Sequence, residues 1–374
     1  MEGGGRIGAG PAGTPDRWRH RFAFTTSAAT LFLIFAGGMV TSTGSGLAVP
    51  DWPLSYGGFF PPMVGGVFYE HGHRMVAGTV GLLMIALALW TWRREPRRWV
   101  RRLAAGAVLA VVAQALLGGI TVLFLLPPAV SISHAALANL FFAMTVVIAA
   151  ATGPWWLGAS ADAGADGAEA TGAAAGSASR DGAASPDGAA SRDGAAARAG
   201  SGGGRIGRAT AKRAPLFFPA VAVTGAAFLQ ILLGALMRHT KAGLAIPDFP
   251  LAFGRLIPPL SEPRVAVHFA HRLGAVTVAA LAGFVVARAL RHHRGRPDLV
   301  APALILGALV LAQLVLGATV VWTAKQPHVT TFHVAAGSAA LAAALVLALR
   351  AGRLERPGAR SQEVAGLTPI EGRA

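Results

Sequence analysis

The chain has 374 residues, 53% of them hydrophobic and only 13% charged, which is too apolar for an ordinary soluble domain. The formal net charge of +16 raises nucleic acid as a partner, but the Lys and Arg residues flank apolar runs, which points to membrane lipid and away from nucleic acid. With no cysteine, disulfides, thiolate metal sites and c-type haem attachment are excluded.

Residues 1–21 read as an N-terminal tail carrying Arg17, Arg19 and Arg21. The run 22–43 that follows resembles a signal peptide only at first sight. It is too long and leads into the next motif without a cleavage site, so we take it as a retained helix. Runs 76–92, 103–126 and 130–156 are three further spans, each near the 20 or so residues needed to cross the hydrocarbon core. The second reaches that length only if it starts near Glu70, which places His73 and Arg74 in its first turns. Residues 157–213 are rich in Ala, Gly, Ser and Asp, with a tandem Asp-Gly-Ala-Ala repeat, and read as a disordered cytoplasmic linker. Four more spans follow at 216–237, 265–287, 299–322 and 330–349, then a second tail over 351–374. The expected fold is an all-α integral membrane protein. Its eight transmembrane helices form two tandem four-helix bundles, residues 22–156 and 214–350, related by a pseudo-two-fold axis along the membrane normal.

Charge sets the orientation. Arg93, Arg94, Arg97, Arg98, Arg101 and Arg102 lie between spans two and three, and Arg288, Arg291, Arg294 and Arg296 between spans six and seven. Residues 44–69 contain no Lys or Arg. This positive-inside pattern places both termini in the cytoplasm and the protein in the cell membrane. Arg238, Lys241, Arg255 and Arg264 break the pattern on the outer side and call for another reason, such as an anionic ligand. His20, His292 and His293 lie in the basic inner stretches and are expected in solvent.

The two halves repeat each other. Gly-Leu-Ala-Val-Pro-Asp-Trp-Pro at 46–53 returns as Gly-Leu-Ala-Ile-Pro-Asp-Phe-Pro at 243–250. His73-Arg74 returns as His271-Arg272, Gln114 with Gly118 as Gln313 with Gly317, and His134 as His333. Each half thus sets two histidines near the outer ends of inward-running helices, within roughly 10 Å of the surface at 1.5 Å per residue. Two facing imidazoles suit a haem iron better than zinc, which takes three or four protein ligands. Histidines that are simply packed or hydrogen-bonded are the competing reading, and four at matched depth weigh against it. Arg74 and Arg272 need an anion near lipid, and haem propionates or lipid headgroups would serve. The halves differ three residues before the histidine, where Glu70 stands in one and His268 in the other. A carboxylate there could move protons or stabilise a developing cation, or could be a solvated helix-start residue. His71 is a rival ligand to His73. Asp51 and Asp248 read as turn formers, and Trp52 and Phe249 as interfacial packing residues.

Together, the two Pro-Asp-aromatic-Pro motifs, Glu70-x-x-His73-Arg74, Ser133-His134, His268-x-x-His271-Arg272, Phe332-His333 and the two Gln-x-x-x-Gly pairs resemble the haem A synthase family across all eight spans. The resemblance implies a membrane oxidoreductase that oxidises a methyl group of haem O to the formyl group of haem A, by successive hydroxylation to a gem-diol that loses water. Haem A then serves terminal cytochrome oxidase. It implies haem b as cofactor in the C-terminal half on His271 and His333, and haem O as substrate in the N-terminal half near His73 and His134, with Glu70 taking part in the oxidation. It further implies an external electron-transfer partner, and haem O synthase as a physical partner. Some members carry a cysteine pair in the first outer loop. Val49 and Ser55 occupy that neighbourhood here, so this chain resembles the cysteine-free branch. A di-haem cytochrome that only relays electrons is the alternative, and it expects two equivalent sites.

Overall fold

A computed structural model describes residues 16–158 and 215–355, and among them every regular element is helical. Eight helices are long and apolar enough to cross a membrane. They are α1 (Arg17–Ser42), α2 (Gly66–Arg94), α3 (Arg98–Leu123) and α4 (Pro128–Thr152), then α5 (Phe217–His239), α6 (Pro263–His292), α7 (Pro297–Trp322) and α8 (Pro327–Glu355). A single 3-10 turn, Ala242–Leu244, follows α5. Their starts follow local chemistry. Asp16 caps α1 by accepting the Arg19 N–H at 3.1 Å. α4, α6, α7 and α8 each open on a proline, whose fixed φ suits the first helical position and whose missing N–H has no partner to lose there.

Several ends depart from the sequence expectation. α2 starts at Gly66, a full turn before Glu70, and α8 runs to Glu355, into the segment expected as tail. α1 likewise begins inside the expected N-terminal tail. Hydropathy marks only the hydrocarbon-crossing part, while helical hydrogen bonding carries on through the polar interface. α4 stops at Thr152, so Trp155 and Trp156 fall beyond it. Except for its first two residues, the stretch 157–213 expected as a disordered linker lies outside the described residues, as does most of both tails.

Contacts close each half into a ring. α1 packs on α2 and α4, and α3 on α2 and α4; α5–α8 repeat the same pattern. Each ring has its own core. Val80, Met84, Leu87, Phe141 and Ile148 fill the first, and Val223, Val285, Leu306 and Leu347 the second. Alanines such as Ala104, Ala107, Ala303 and Ala344 let the backbones approach, so tight van der Waals packing holds helices whose outer faces meet lipid.

The halves meet where α1 and α4 pack on α8, and α4 on α5. Ser338 donates to Asn139 Oδ1 at 2.8 Å in a buried contact, and the Phe35 and Phe332 rings lie 5.2 Å apart. Asn139 and Ser338 occupy the same place in the repeat, five residues beyond His134 and His333.

Candidate haem-binding sites

The site rests on two loops built alike. Asp51 accepts the N–H groups of Tyr56 (2.7 Å) and Gly57 (2.8 Å), and Asp248 accepts those of Phe253 (2.7 Å) and Gly254 (2.9 Å). The turns need positive φ at Tyr56, Gly57, Phe253 and Gly254, and the aspartates hold that geometry. Hydrogen bonds from Gly57 and then Tyr56 hold the Asp51 carboxyl below its ordinary value, and those from Gly254 and then Phe253 do so for Asp248. Both aspartates are therefore the turn formers expected from sequence. Trp52 lies against α3 so closely that a Cβ on Gly119 would sit 2.7 Å from its ring, and Phe249 packs edge-on to Trp322 at 6.0 Å.

The residues beside the histidines tie these loops down. Arg74 donates to the carbonyls of Asp51 and Leu54 (2.8 Å each) and Val49 (3.3 Å), and pairs with Glu70 at 2.6 Å. Arg272 donates to the carbonyls of Leu251 (2.8 Å), Asp248 (2.6 Å) and Ile246 (3.3 Å). The second oxygen of Glu70 accepts the Val49 N–H at 2.8 Å, and His268 Nδ1 accepts the matching Ile246 N–H at 3.1 Å. Glu70 and His268, which looked like the chemical difference between the halves, thus share one loop-holding task. The arginines' lipid-boundary charge, expected to meet an outside anion, is largely engaged by backbone carbonyls. Sequence could not show this, because the acceptors lie about twenty residues away on a loop that folds back.

His73, His134, His271 and His333 stand seven to nine residues into α2, α4, α6 and α8, at one end of both bundles. The ring centres of His271 and His333 are 6.5 Å apart, with planes at 70°. His73 and His134 stand at the matching places in the first bundle. Each imidazole rests on a glycine of the neighbouring helix. A Cβ would lie 3.0 Å from the His73 ring at Gly37, 3.4 Å from His134 at Gly118, 3.1 Å from His271 at Gly234 and 3.3 Å from His333 at Gly317. The buried Nδ1 atoms of His73, His134 and His333 have no hydrogen-bond partner.

These observations fit a porphyrin iron. Two imidazoles each about 2 Å from an interposed iron have ring centres roughly 6–6.5 Å apart. Among the described residues no group of three or more His, Asp or Glu side chains converges as a metal-ion site.

Two supports went unread in the sequence. Gln230, where the first half has Leu33, donates to the His271 carbonyl (2.8 Å) and lies 3.1 Å from its Nδ1. Its only signal was a lone amide in an apolar run. Ser55 bonds His71 Nδ1 at 2.8 Å, so His71 turns to the loop and His73 keeps the ligand position. Gln114 and Gln313 donate to the carbonyls of His134 (3.0 Å) and His333 (2.7 Å). Arg238 donates to Ser42 at 2.5 Å and Arg264 pairs with Glu262 at 2.8 Å, which accounts for two of the four outer cations. On the opposite side His20 bonds the Ala149 carbonyl at 3.1 Å and His293 is buried, contrary to the expectation of solvent, because α1 and the α6–α7 turn pack inward there.

Comparison with known proteins agrees with this architecture. The family model COX15-CtaA, cytochrome oxidase assembly protein, matches residues 20–179 and 196–346. The chain is similar to a protein named Heme A synthase from Symbiobacterium thermophilum, 31% identical over 261 residues, 69% of this chain and 71% of that protein. It is similar to one of the same name from Geobacillus kaustophilus, 28% identical over 339 residues, 89% of this chain and 92% of that one. A third, from Bacillus licheniformis, is 42% identical over 101 residues, 26% of this chain and 33% of that protein. The match reaches into all eight helices and spans both histidine pairs, and the chain belongs to the COX15-CtaA family of cytochrome oxidase assembly proteins.

Proposed function

We propose that this protein is a haem A synthase, a membrane oxidoreductase converting a methyl group of haem O to a formyl group and so supplying haem A to terminal cytochrome oxidase. The carrying observation is the His271 and His333 pair 6.5 Å apart, with all four histidines seated on glycines of neighbouring helices, in a chain from this family. The reaction adds one oxygen atom to the methyl carbon and removes four electrons and, with water as the oxygen's formal source, four protons.

In this reading residues 214–350 bind haem b through His271 and His333. Residues 22–156 bind the haem O substrate beside His73 and His134. The bound haem b supplies one-electron redox chemistry. The chain's own residues do the rest. The glycine seats fix ring direction, Gln230 orients His271, and the loop clasped by Arg74 and Arg272 covers the outer end of each bundle. Glu70 sets a carboxylate in the substrate half, where negative charge favours a developing cation and can accept a proton. Arg74 and Arg272 keep their positive charge while bonded to loop carbonyls, and that charge would attract haem propionates. The positive-inside pattern supports a cell-membrane location with both termini cytoplasmic. Haem O synthase, as the source of a poorly soluble substrate, and an external electron carrier complete the scheme.

Co-expression with haem O synthase followed by pigment extraction tests it. Haem A should appear, and Glu70→Ala should remove it while bound haem persists. Survival of haem A production in both Glu70→Ala and His73→Ala would overturn the assignment of chemistry to the first half. The shared loop-holding task of Glu70 and His268 favours a second reading, a di-haem electron-transfer cytochrome. That reading requires extracted pigment without haem A.

A further inference from the structure

At the end of the molecule opposite the histidines, Trp92, Arg98, Arg101 and Arg102 line an open pocket of about 280 Å³ between the end of α2 and the start of α3. The Arg101 guanidinium lies 5.7 Å from the centre of the Trp92 ring, which orients it over the pocket. Among the described residues, no carboxylate pairs with Arg98, Arg101 or Arg102. The nearby acid, Glu95, is buried and committed to Arg97 (2.7 Å) and Arg19 (3.1 Å). Arg98 and Arg102 are exposed and Arg101 half-buried, so three unpaired guanidinium groups sit side by side and would attract an anion from outside.

The repeat provides an internal control. In register, Trp92, Arg98, Arg101 and Arg102 correspond to Leu290, Pro297, Val300 and Ala301, so the second half has none of the four. Its own basic residues at this level are largely spent within the protein. Arg288 donates to the Pro215 carbonyl, Arg294 to the Leu290 carbonyl (2.7 Å each), and Arg296 pairs with Asp298 at 2.9 Å. The fold therefore does not require the cluster of the first half. Further into the membrane, α2 and α3 carry exposed Ile85, Leu89, Leu109 and Val112, a surface for acyl chains continuous with the helices that form the pocket.

We infer that Trp92, Arg98, Arg101 and Arg102 form a binding site for the phosphate headgroup of an anionic phospholipid, whose acyl chains run along α2 and α3. Arginines present forked donors to phosphate oxygens, and tryptophan sits at the headgroup level. The lipid is chosen over free phosphate because the pocket opens at the apolar surface of two membrane-crossing helices.

Native mass spectrometry of the full-length detergent-purified protein tests this, with phosphatidylglycerol, phosphatidylcholine and inorganic phosphate as probes. The intact protein should retain phosphatidylglycerol at least tenfold over phosphatidylcholine. Replacing the three arginines together, R98Q/R101Q/R102Q, should abolish that preference, while the second-half control R291Q/R294Q should keep it. Melting temperature in detergent checks that each variant is folded. Equal retention of both lipids, an unchanged preference in the folded triple variant, or displacement of the lipid by equimolar inorganic phosphate would each overturn the proposal. None of these readouts depends on haem chemistry.

Discussion

A histidine ligand is only as good as the surface behind its ring. Here that surface is a glycine on the adjacent helix, four times over. Gly234→Ala puts a methyl group 3.1 Å from the His271 ring, so the ring must give by a few tenths of an ångström and leave its ligand direction. We expect that variant to lose most of its bound haem, read as Soret absorbance per protein. Gly225, on the same helix, has no atom within 4 Å of the added methyl. Gly225→Ala should keep its haem and gain up to about 1 kcal/mol from helix propensity. Asp51 and Asp248 titrate below their ordinary value of 3.8 when folded. The unfolded loop then binds more protons in the window between the two values, so loop stability rises with pH there. The contribution is present above pH 3.8 and is lost as pH falls through the lower folded value. Limited proteolysis of the two loops should accelerate across that window, and Asp51→Asn with Asp248→Asn should flatten the dependence. The four histidines were legible because repetition marks them. Gln230 and Ser55 were not, since their partners lie 41 and 16 residues away.

Single helices were legible from the length of their apolar runs, and their ends were not. α2 gains its first turn and α8 its last through polar residues that hydropathy discounts. The same blindness hid the tie between loop and helix. Glu70 and His268 differ in chemistry yet accept equivalent N–H groups, which only the folded-back loop reveals. Helix pairing across the halves includes the buried contact of Asn139 with Ser338. Interhelical hydrogen bonds in membranes couple by about 0.6 kcal/mol on average. A double-mutant cycle of Asn139→Ala and Ser338→Ala, followed by thermal unfolding in detergent, should return a coupling of roughly that size. A coupling near zero would mean that this pair adds nothing to the packing and the other hydrogen bonds between the halves, such as Arg238 with Ser42.

At the scale of the whole molecule, two rings with separate cores meet along α1, α4, α5 and α8. Cutting the chain between 159 and 214 should therefore leave two fragments that copurify in detergent. Separation of the fragments would show that the covalent connection does the joining. In the proposed function an iron sits between two imidazoles in each half. Electron paramagnetic resonance of the purified ferric protein tests it most directly, because two imidazole ligands make ferric haem low-spin. We predict a low-spin signal that His271→Ala or His333→Ala converts or removes, with the His73 and His134 variants acting separately on haem held in the first half. A signal that persists unchanged in both His271→Ala and His333→Ala would contradict the account.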